Sequence, residues 1–224
     1  MSWIDRLRSL FTRQAPLRRV GVRRPSTTGH HGDDAREDAL RANLVHDPND
    51  IESFKALAEL VRHHAAASAP ADPLTADSPA TERDRAADLA VWSLAEEIAG
   101  NPRAWYALVE LARLSLHDDR EGAMRRLQGA CERDGTGTAL AESVRMLREA
   151  GLPAEGLGLG VGHWNAKEHV HEAGIQVIRA ALEAGRPSEA RRLLETMAET
   201  SDDVQTAGTI DKLDREIADA EATA

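Results

Sequence analysis

A short motif recurs in this chain at a spacing of 34 residues. The sequence EAGLPAEG at Glu149 to Gly156 returns as EAGRPSEA at Glu183 to Ala190, and a Glu121–Gly122 pair lies one further period upstream. A period of about 34 residues is typical of a helix–turn–helix unit that buries only one face and therefore stacks on its neighbours. The motif thus predicts a solenoid of stacked helical hairpins.

The composition also favours an all-α fold. Aromatic residues make up only 3% of the 224 residues, and the chain is rich in Ala, Leu, Arg and Glu, which are strong helix formers. The apolar share of 42% is compatible with one sizeable folded core.

The net charge of −10 is unevenly distributed. Residues 1–24 contain seven arginines and one aspartate, a formal charge of about +6, which leaves about −16 for the rest of the chain. An acidic body argues against nucleic acid as a partner, because phosphate binding needs a basic face. The single cysteine, Cys131, excludes an intramolecular disulfide and fits a reducing compartment. With no apolar run of about 18 residues and no secretory signal pattern, we expect a cytoplasmic protein.

The first twelve residues predict an amphipathic basic helix. Its bulky apolar side chains recur at helical spacing with arginines beside them: Trp3, Ile4, Arg6, Leu7, Arg8, Leu10 and Phe11. Such a helix can enter the headgroup boundary and attract anionic lipid, so residues 1–24 are predicted to hold the protein peripherally at a membrane surface. Docking on a protein, a disordered tail and an organellar transit peptide are the alternatives.

The remaining chain divides by pattern and composition. Residues 13–33, rich in Pro, Gly, Ser and Thr, predict a flexible basic linker, and residues 34–199 predict the helical domain. Within that domain, residues 65–82 predict an exposed insertion, and residues 200–224 predict an acidic C-terminal helix or tail. The expected helices are 34–46, 50–64, 81–99, 102–117, one following Asp118 and Asp119, 138–150, an irregular glycine-rich unit from 153, 167–184, 187–199 and 205–220.

Two segments resemble the first helix of the tetratricopeptide repeat. They are DPNDIESFKALAELV and NPRAWYALVELARL, in which Phe54 and Trp105 occupy the bulky signature position of that family. Ala123 and Ala190 resemble the small residue where the second helix crosses closely over the first. The resemblance covers about residues 34–199 and implies a right-handed superhelix whose concave groove binds a peptide or a helix of a partner protein.

The groove implied by this resemblance is lined by the first helices of successive units. Its candidate partner-binding residues are Lys55, Glu59, Arg62, Glu110, Arg113, Arg145 and Arg148. The expected function is therefore that of a non-catalytic adaptor or scaffold, with no cofactor and no metal.

The glycine-rich stretch GLGLGVGHW, from Gly156 to Trp164, is the strongest signal for a different function. Alternating glycines let backbone N–H groups approach a phosphate, but a dinucleotide motif requires a preceding strand, and this stretch follows a predicted helix and turn. The leading interpretation is a packed or locally irregular helix in which Gly158 and Gly162 allow close contact with a neighbour. A partner-binding loop and a small-ligand site are the alternatives, so a ligand-binding or enzymatic protein with a site at residues 156–171 is the second hypothesis.

Histidines close to this stretch do not predict a metal centre. On one helix, His169 and His171 would point about 200° apart, too far for a shared ion. Cys131 has no local activating pattern, and we expect it to pack as a small apolar side chain.

Overall fold

A computed structural model describes residues 30–68, 79–200 and 204–223 of the chain. The chain divides into two compact units, Met1–Ala35 and Arg36–Ala224. Of the first unit, only residues 30–35 are described, and they are helical. The predicted N-terminal helix at residues 1–12 and most of the predicted linker lie outside the described residues.

Every regular element in the described ranges is an α-helix, which confirms the all-α prediction. The predicted ends differ from the observed ends by at most four residues. The helices are α1 (His30–His46), α2 (Ile51–Ser68), α3 (Pro79–Ala99), α4 (Tyr106–Ser115), α5 (Arg120–Arg133), α6 (Thr138–Glu149), α7 (Pro153–His163), α8 (His171–Glu183), α9 (Pro187–Thr200) and α10 (Val204–Thr223).

Within the second unit, the helices pack mainly against their neighbours along the chain. Helices α2 and α3, α4 and α5, α6 and α7, and α8 and α9 form four antiparallel-type hairpin pairs in sequence order. Each second helix of a pair also packs against the first helix that follows it, and α4, α6, α8 and α10 contact one another in that order. We call α2, α4, α6 and α8 the first helices.

Two of the hairpin turns are built alike. Gly151 and Gly185, which are 34 residues apart, have φ angles of +74° and +70°. In both turns the residue after the glycine donates its backbone N–H to a carbonyl of the preceding helix, from Leu152 to Leu147 and from Arg186 to Ala181, each at 2.9 Å. This is the bond pattern of a Schellman C-cap, which favours glycine because only glycine adopts a positive φ without strain. The predicted helix end at Gly185 is confirmed.

The aromatic residues of the first two hairpins share one core. Phe54 and Tyr106 are each 1% exposed, and their rings meet edge to face with centroids 5.3 Å apart. Trp105, 7% exposed, meets the Tyr106 ring at 5.7 Å. The two bulky positions named from the sequence are therefore buried, as are Ala123 and Ala190.

Asn49 and Arg133 fix the connection between α3 and α4. The Asn49 side-chain oxygen accepts from the backbone N–H groups of Trp105 (2.8 Å) and Tyr106 (3.1 Å) and so caps the start of α4. One guanidinium nitrogen of Arg133 lies 2.9 to 3.2 Å from the carbonyl oxygens of Ala99, Asn101 and Ala104. These bonds satisfy backbone groups that the helix ends leave unpaired.

Several predicted boundaries are wrong for local reasons. Pro102 does not enter the first turn of a helix, because the Asn101 side chain accepts from the Arg103 N–H (3.0 Å) and holds residues 101–104 in a turn. The predicted insertion is helical at both ends, since α2 continues to Ser68 and α3 starts at Pro79. Leu89, expected to pack, is 50% exposed.

The predicted cap residues Asp50 and Asp119 are confirmed. Asp119 accepts from the Gly122 N–H at 2.8 Å at the start of α5. Asp50 accepts from the Ser53 hydroxyl (2.6 Å) and the Ser53 N–H (3.1 Å) at the start of α2, and these bonds hold the pKa of its carboxyl below the ordinary value.

The glycine-rich stretch forms the regular helix α7, packed between α6 and α8. The glycines that allow close packing are Gly156 and Gly160. A Cβ on Gly160 would lie 2.5 Å from a methyl group of Val177, and one on Gly156 would lie 3.4 Å from a methyl group of Val144. The prediction that Gly158 and Gly162 serve this purpose is wrong, because a Cβ on either would meet nothing within 4 Å. The register is shifted by two residues, so the opposite face of α7 carries the contacts.

The geometry assumed for two histidines is also wrong. Helix α8 begins at His171, and His169 lies in the loop before it, where its Nδ1 accepts from the Asn165 N–H at 3.3 Å. The two side chains therefore do not share a helix.

Candidate partner-binding face

The four first helices carry related heptapeptides. They are ALAELVR at 56–62, ALVELAR at 107–113, ALAESVR at 139–145 and AGIQVIR at 173–179. Small and aliphatic side chains fill the inward positions, and the fourth and seventh positions carry polar groups. At those positions the helices place Glu59 and Arg62, Glu110 and Arg113, Glu142 and Arg145, and Gln176 and Arg179.

Sequence reasoning had selected five of these eight residues and missed Glu142, Gln176 and Arg179. The signal was present, because the segments holding Glu142 and Arg145 align with those holding Gln176 and Arg179 at the 34-residue period. The motif EAG drew attention to the turns instead of the helices before them.

Acid and base pair within the second and third heptapeptides. Arg113 lies 3.4 Å from Glu110, and Arg145 forms an ion pair with Glu142. In the first heptapeptide, Glu59 is exposed and Arg62 instead approaches Asp88 of α3 at 3.7 Å. Lys55, the remaining predicted residue of α2, lies 3.8 Å from Glu52. Such exposed pairs contribute little to stability, about 0 to 1 kcal/mol, so they act mainly to define the charge pattern.

Ion pairs also connect one first helix to the next. Arg113 of α4 approaches Glu149 of α6 at 3.9 Å, and Arg148 of α6 bonds Glu183 of α8 at 2.9 Å. The predicted residues on α4 and α6 thus belong to one continuous surface.

Tyr106 lies beneath this surface. Burial raises the pKa of the Tyr106 phenol well above its ordinary value, and the neighbouring Glu110 carboxylate, with which it forms a hydrogen bond, raises it further. The phenol therefore stays protonated at neutral pH and donates to Glu110.

The fourth heptapeptide differs because an amide replaces the carboxylate. Gln176 is 4% exposed; its oxygen accepts from Arg148, and its nitrogen donates to Glu172 at 2.6 Å. Arg179 is half-buried and makes no ion pair or side-chain hydrogen bond with any described residue.

Two adjoining cavities open along α6, α8 and α10. The first, of about 310 Å³, is lined by Arg145, Arg148, Glu149, Gln176, Arg179 and Glu183. The second, of about 340 Å³, is lined by Arg148, Arg179, Leu182, Glu183, Lys212 and Glu216. Both cavities share Arg148, Arg179 and Glu183, which places Arg179 between them. We call the surface formed by the polar residues of α4, α6 and α8, together with these two cavities, the first-helix face.

A separate cleft of about 400 Å³ has a more apolar lining. It is formed by α1, α2, the end of α3 and their connections, and its lining comprises Arg41, Leu44, Val45, Pro48, Leu57, Glu97, Ile98 and Asn101. Arg41 bridges it by donating to Glu97 at 3.2 Å.

Groups with enzymatic potential are few in the described residues. Burial raises the pKa of the Cys131 thiol to about 12, so the nucleophilic thiolate is scarce at neutral pH. In residues 30–68, 79–200 and 204–223, no three His, Cys, Asp or Glu side chains are grouped closely enough to hold a metal ion. Neither cavity of the first-helix face is lined by residues 156–171.

No helix within the described ranges has the length and apolar content needed to cross a bilayer. Comparisons with protein-family models, curated proteins and solved structures found no match to this chain.

Proposed function

We propose that this chain is a non-catalytic adaptor of the tetratricopeptide-like solenoid type, in which the first-helix face binds a peptide or a helix of a partner protein. The observation that carries the proposal is the recurrence of one heptapeptide on four first helices, with its polar positions aligned beside the open cavities of α6, α8 and α10.

The arrangement of contacts supports this function. Successive first helices contact one another, so their polar positions form a single extended surface. An extended surface of this kind can bind a segment longer than any one cavity would hold. The final helix α10 supports the same geometry, because its Leu213 and Ile217, 1% and 0% exposed, complete the core behind α8 and α9.

Site-specific photocrosslinking tests the proposal. A photoreactive amino acid replaces Lys55 or Arg145 on the first helices, or, as matched controls, Arg125 on α5 or Arg192 on α9, which are exposed on second helices. In cells that express the protein naturally, we expect the two first-helix positions to give crosslinks to the same protein partner and the controls to give none.

Equal crosslinking from both sets of positions would contradict a dedicated face, and an absence of crosslinks from all four would contradict the adaptor function. Circular dichroism of each variant confirms that the helical content is retained.

We further propose that residues 1–24 tether the adaptor to an anionic membrane surface. The support is the sequence alone, namely the apolar positions at helical spacing and the seven arginines. Each basic residue near an anionic surface contributes about 1 kcal/mol, so binding should weaken in high salt.

Liposome co-sedimentation tests the tether. The full-length protein should sediment with vesicles containing phosphatidylserine at low salt and be released at high salt, and a variant lacking residues 1–24 should remain in the supernatant. A variant with Trp3, Leu7 and Phe11 changed to Ser separates apolar insertion from charge attraction. If the full-length chain ignores anionic vesicles at low salt, the tether proposal fails while the adaptor proposal stands.

A further inference from the structure

Arg179 occupies a position whose counterparts are paired within their own helices. In α4 and α6, the arginine at the end of the heptapeptide pairs with the glutamate three residues earlier, as in Glu110–Arg113 and Glu142–Arg145. In α8, the residue three positions earlier is Gln176, whose amide oxygen already accepts from Arg148. The carboxylate that neutralises the arginine elsewhere is absent here.

The lack of a partner distinguishes Arg179 by its burial. The other described arginines and lysines without an ion pair or a side-chain bond to a carboxylate or carbonyl are exposed, as Arg36, Arg103 and Lys167 are. Arg179 is half-buried, and a guanidinium that is partly withdrawn from water without a counter-ion is unfavourable. A ligand that supplies negative charge would relieve this cost.

The surroundings of Arg179 are suited to such a ligand. The guanidinium lies between the cavities of about 310 Å³ and 340 Å³, and Arg145, Arg148 and Lys212 line the same two cavities. Each of these three cations already has a carboxylate partner, Glu142, Glu183 and Glu216 respectively. Arg179 is therefore the cation of this group that remains available.

We infer that Arg179 is a specificity-determining residue of the first-helix face and binds an aspartate or glutamate side chain of the partner segment. The partner then supplies in trans the carboxylate that Glu110 and Glu142 supply within their own helices. The planar guanidinium matches a carboxylate in bidentate geometry, which adds specificity as well as affinity. This inference rests on the proposed adaptor function and names the chemistry of the partner.

The test uses a fluorescent hexaglutamate peptide as the probe and hexaglutamine as its neutral control. We expect the full-length protein to bind hexaglutamate and not hexaglutamine, with a shift of the Arg179 Nε–Hε resonance in ¹⁵N NMR during the titration. The Arg179→Gln variant should weaken binding by about tenfold or more, whereas Arg103→Gln, which removes an exposed arginine without an ion pair, should leave it within about twofold.

A second variant exchanges neighbouring residues without changing the net charge. In Glu172→Gln/Gln176→Glu, the acid moves to the position from which Glu142 pairs with Arg145, while an amide and a carboxylate remain side by side. Arg179 then has a partner in cis, and hexaglutamate binding should fall by about tenfold although the arginine is still present.

Three outcomes overturn the inference. They are equal loss of binding in Arg179→Gln and Arg103→Gln, an unchanged affinity in the exchange variant, and displacement of hexaglutamate by inorganic phosphate at concentrations where acetate has no effect, which would assign the site to a phosphoryl group.

Failure of this inference is distinguishable from failure of the adaptor function. If crosslinks from Lys55 and Arg145 persist in Arg179→Gln, the adaptor stands and the assigned chemistry is wrong. If hexaglutamate binds through Arg179 but no first-helix crosslink forms, the carboxylate site stands and the adaptor function is wrong.

Discussion

The third hairpin, α6 and α7, and the fourth hairpin, α8 and α9, share a turn but differ in their second helices. Gly151 and Gly185 adopt the same left-handed conformation 34 residues apart. One period also relates Gly156 to Ala190 and Gly160 to the buried Leu194. The turn is the same because its backbone geometry is local, whereas the second helices differ because each meets a different neighbour.

This difference shows what allows α7 to form. Four of its eleven residues are glycines, and each glycine in a helix interior costs about 1 kcal/mol relative to alanine. Tertiary contacts offset that cost, since α7 packs against both α6 and α8 and buries Leu157 and Leu159. Helix α9 has a stronger intrinsic preference for the helical state and fills its core position with leucine.

The largest expected effect is the loss of the leucine that replaces glycine in α9. Leu194 is 4% exposed, so Leu194→Ala should lower the free energy of unfolding by about 2–5 kcal/mol through lost burial and a residual cavity. Urea denaturation followed by circular dichroism measures the change. The control is Leu89→Ala, because Leu89 is 50% exposed and its truncation should have an effect within about 0.5 kcal/mol.

The next effect concerns the corresponding position in α7. In Gly160→Ala, the added methyl would lie 2.5 Å from a Val177 methyl group, so overpacking should reduce stability by about 1–3 kcal/mol. The double variant with Val177→Ala should recover part of this loss in a double-mutant cycle. Additive losses would show that the contact between α7 and α8 is not the cause.

The shared turn should respond equally in both hairpins. Gly151→Ala and Gly185→Ala each force a side chain into the left-handed region and should each cost about 1–2 kcal/mol in thermal or urea unfolding. Gly135→Ala is the control, since a Cβ there meets nothing within 4 Å and the residue lacks a positive φ. A cost confined to one of the two turns would contradict their equivalence.

The smallest effect has the opposite sign. At Gly158 and Gly162 a Cβ meets nothing within 4 Å, so alanine should raise stability by about 0.5–1 kcal/mol at each site through its helix propensity. A rise in melting temperature for Gly158→Ala and Gly162→Ala, beside a fall for Gly160→Ala, would confirm the assignment of the two faces of α7. Destabilisation at Gly158 or Gly162 would refute it.

Much of the helical pattern was predictable because its causes are local. Proline and glycine at Pro187 and Gly185 mark helix ends through backbone sterics, and Asp50 and Asp119 cap helices through bonds to residues three positions away. The error at Pro102 arose because the Asn101 side chain stabilises a turn that competes with the helix.

The candidate site was only partly predictable. Arg145 and Arg148 were named because they are polar residues on a predicted first helix, but Arg179 was not, because one residue type at one position does not reveal its partners. Whether an arginine is neutralised depends on the acid that lies beside it in space. For Arg148 that acid is Glu183, which is 35 residues away in the chain.

The amino-acid sequence by itself determined the helical class, the approximate helix ends and the glycine turns at the 34-residue period, since these follow from steric and hydrogen-bonding preferences within a few residues. The tertiary structure alone decided which glycines of α7 face a neighbour and which arginine of the first-helix face has no carboxylate beside it. Both depend on the rotation and spacing of adjacent helices, which are set by contacts between residues distant in the chain.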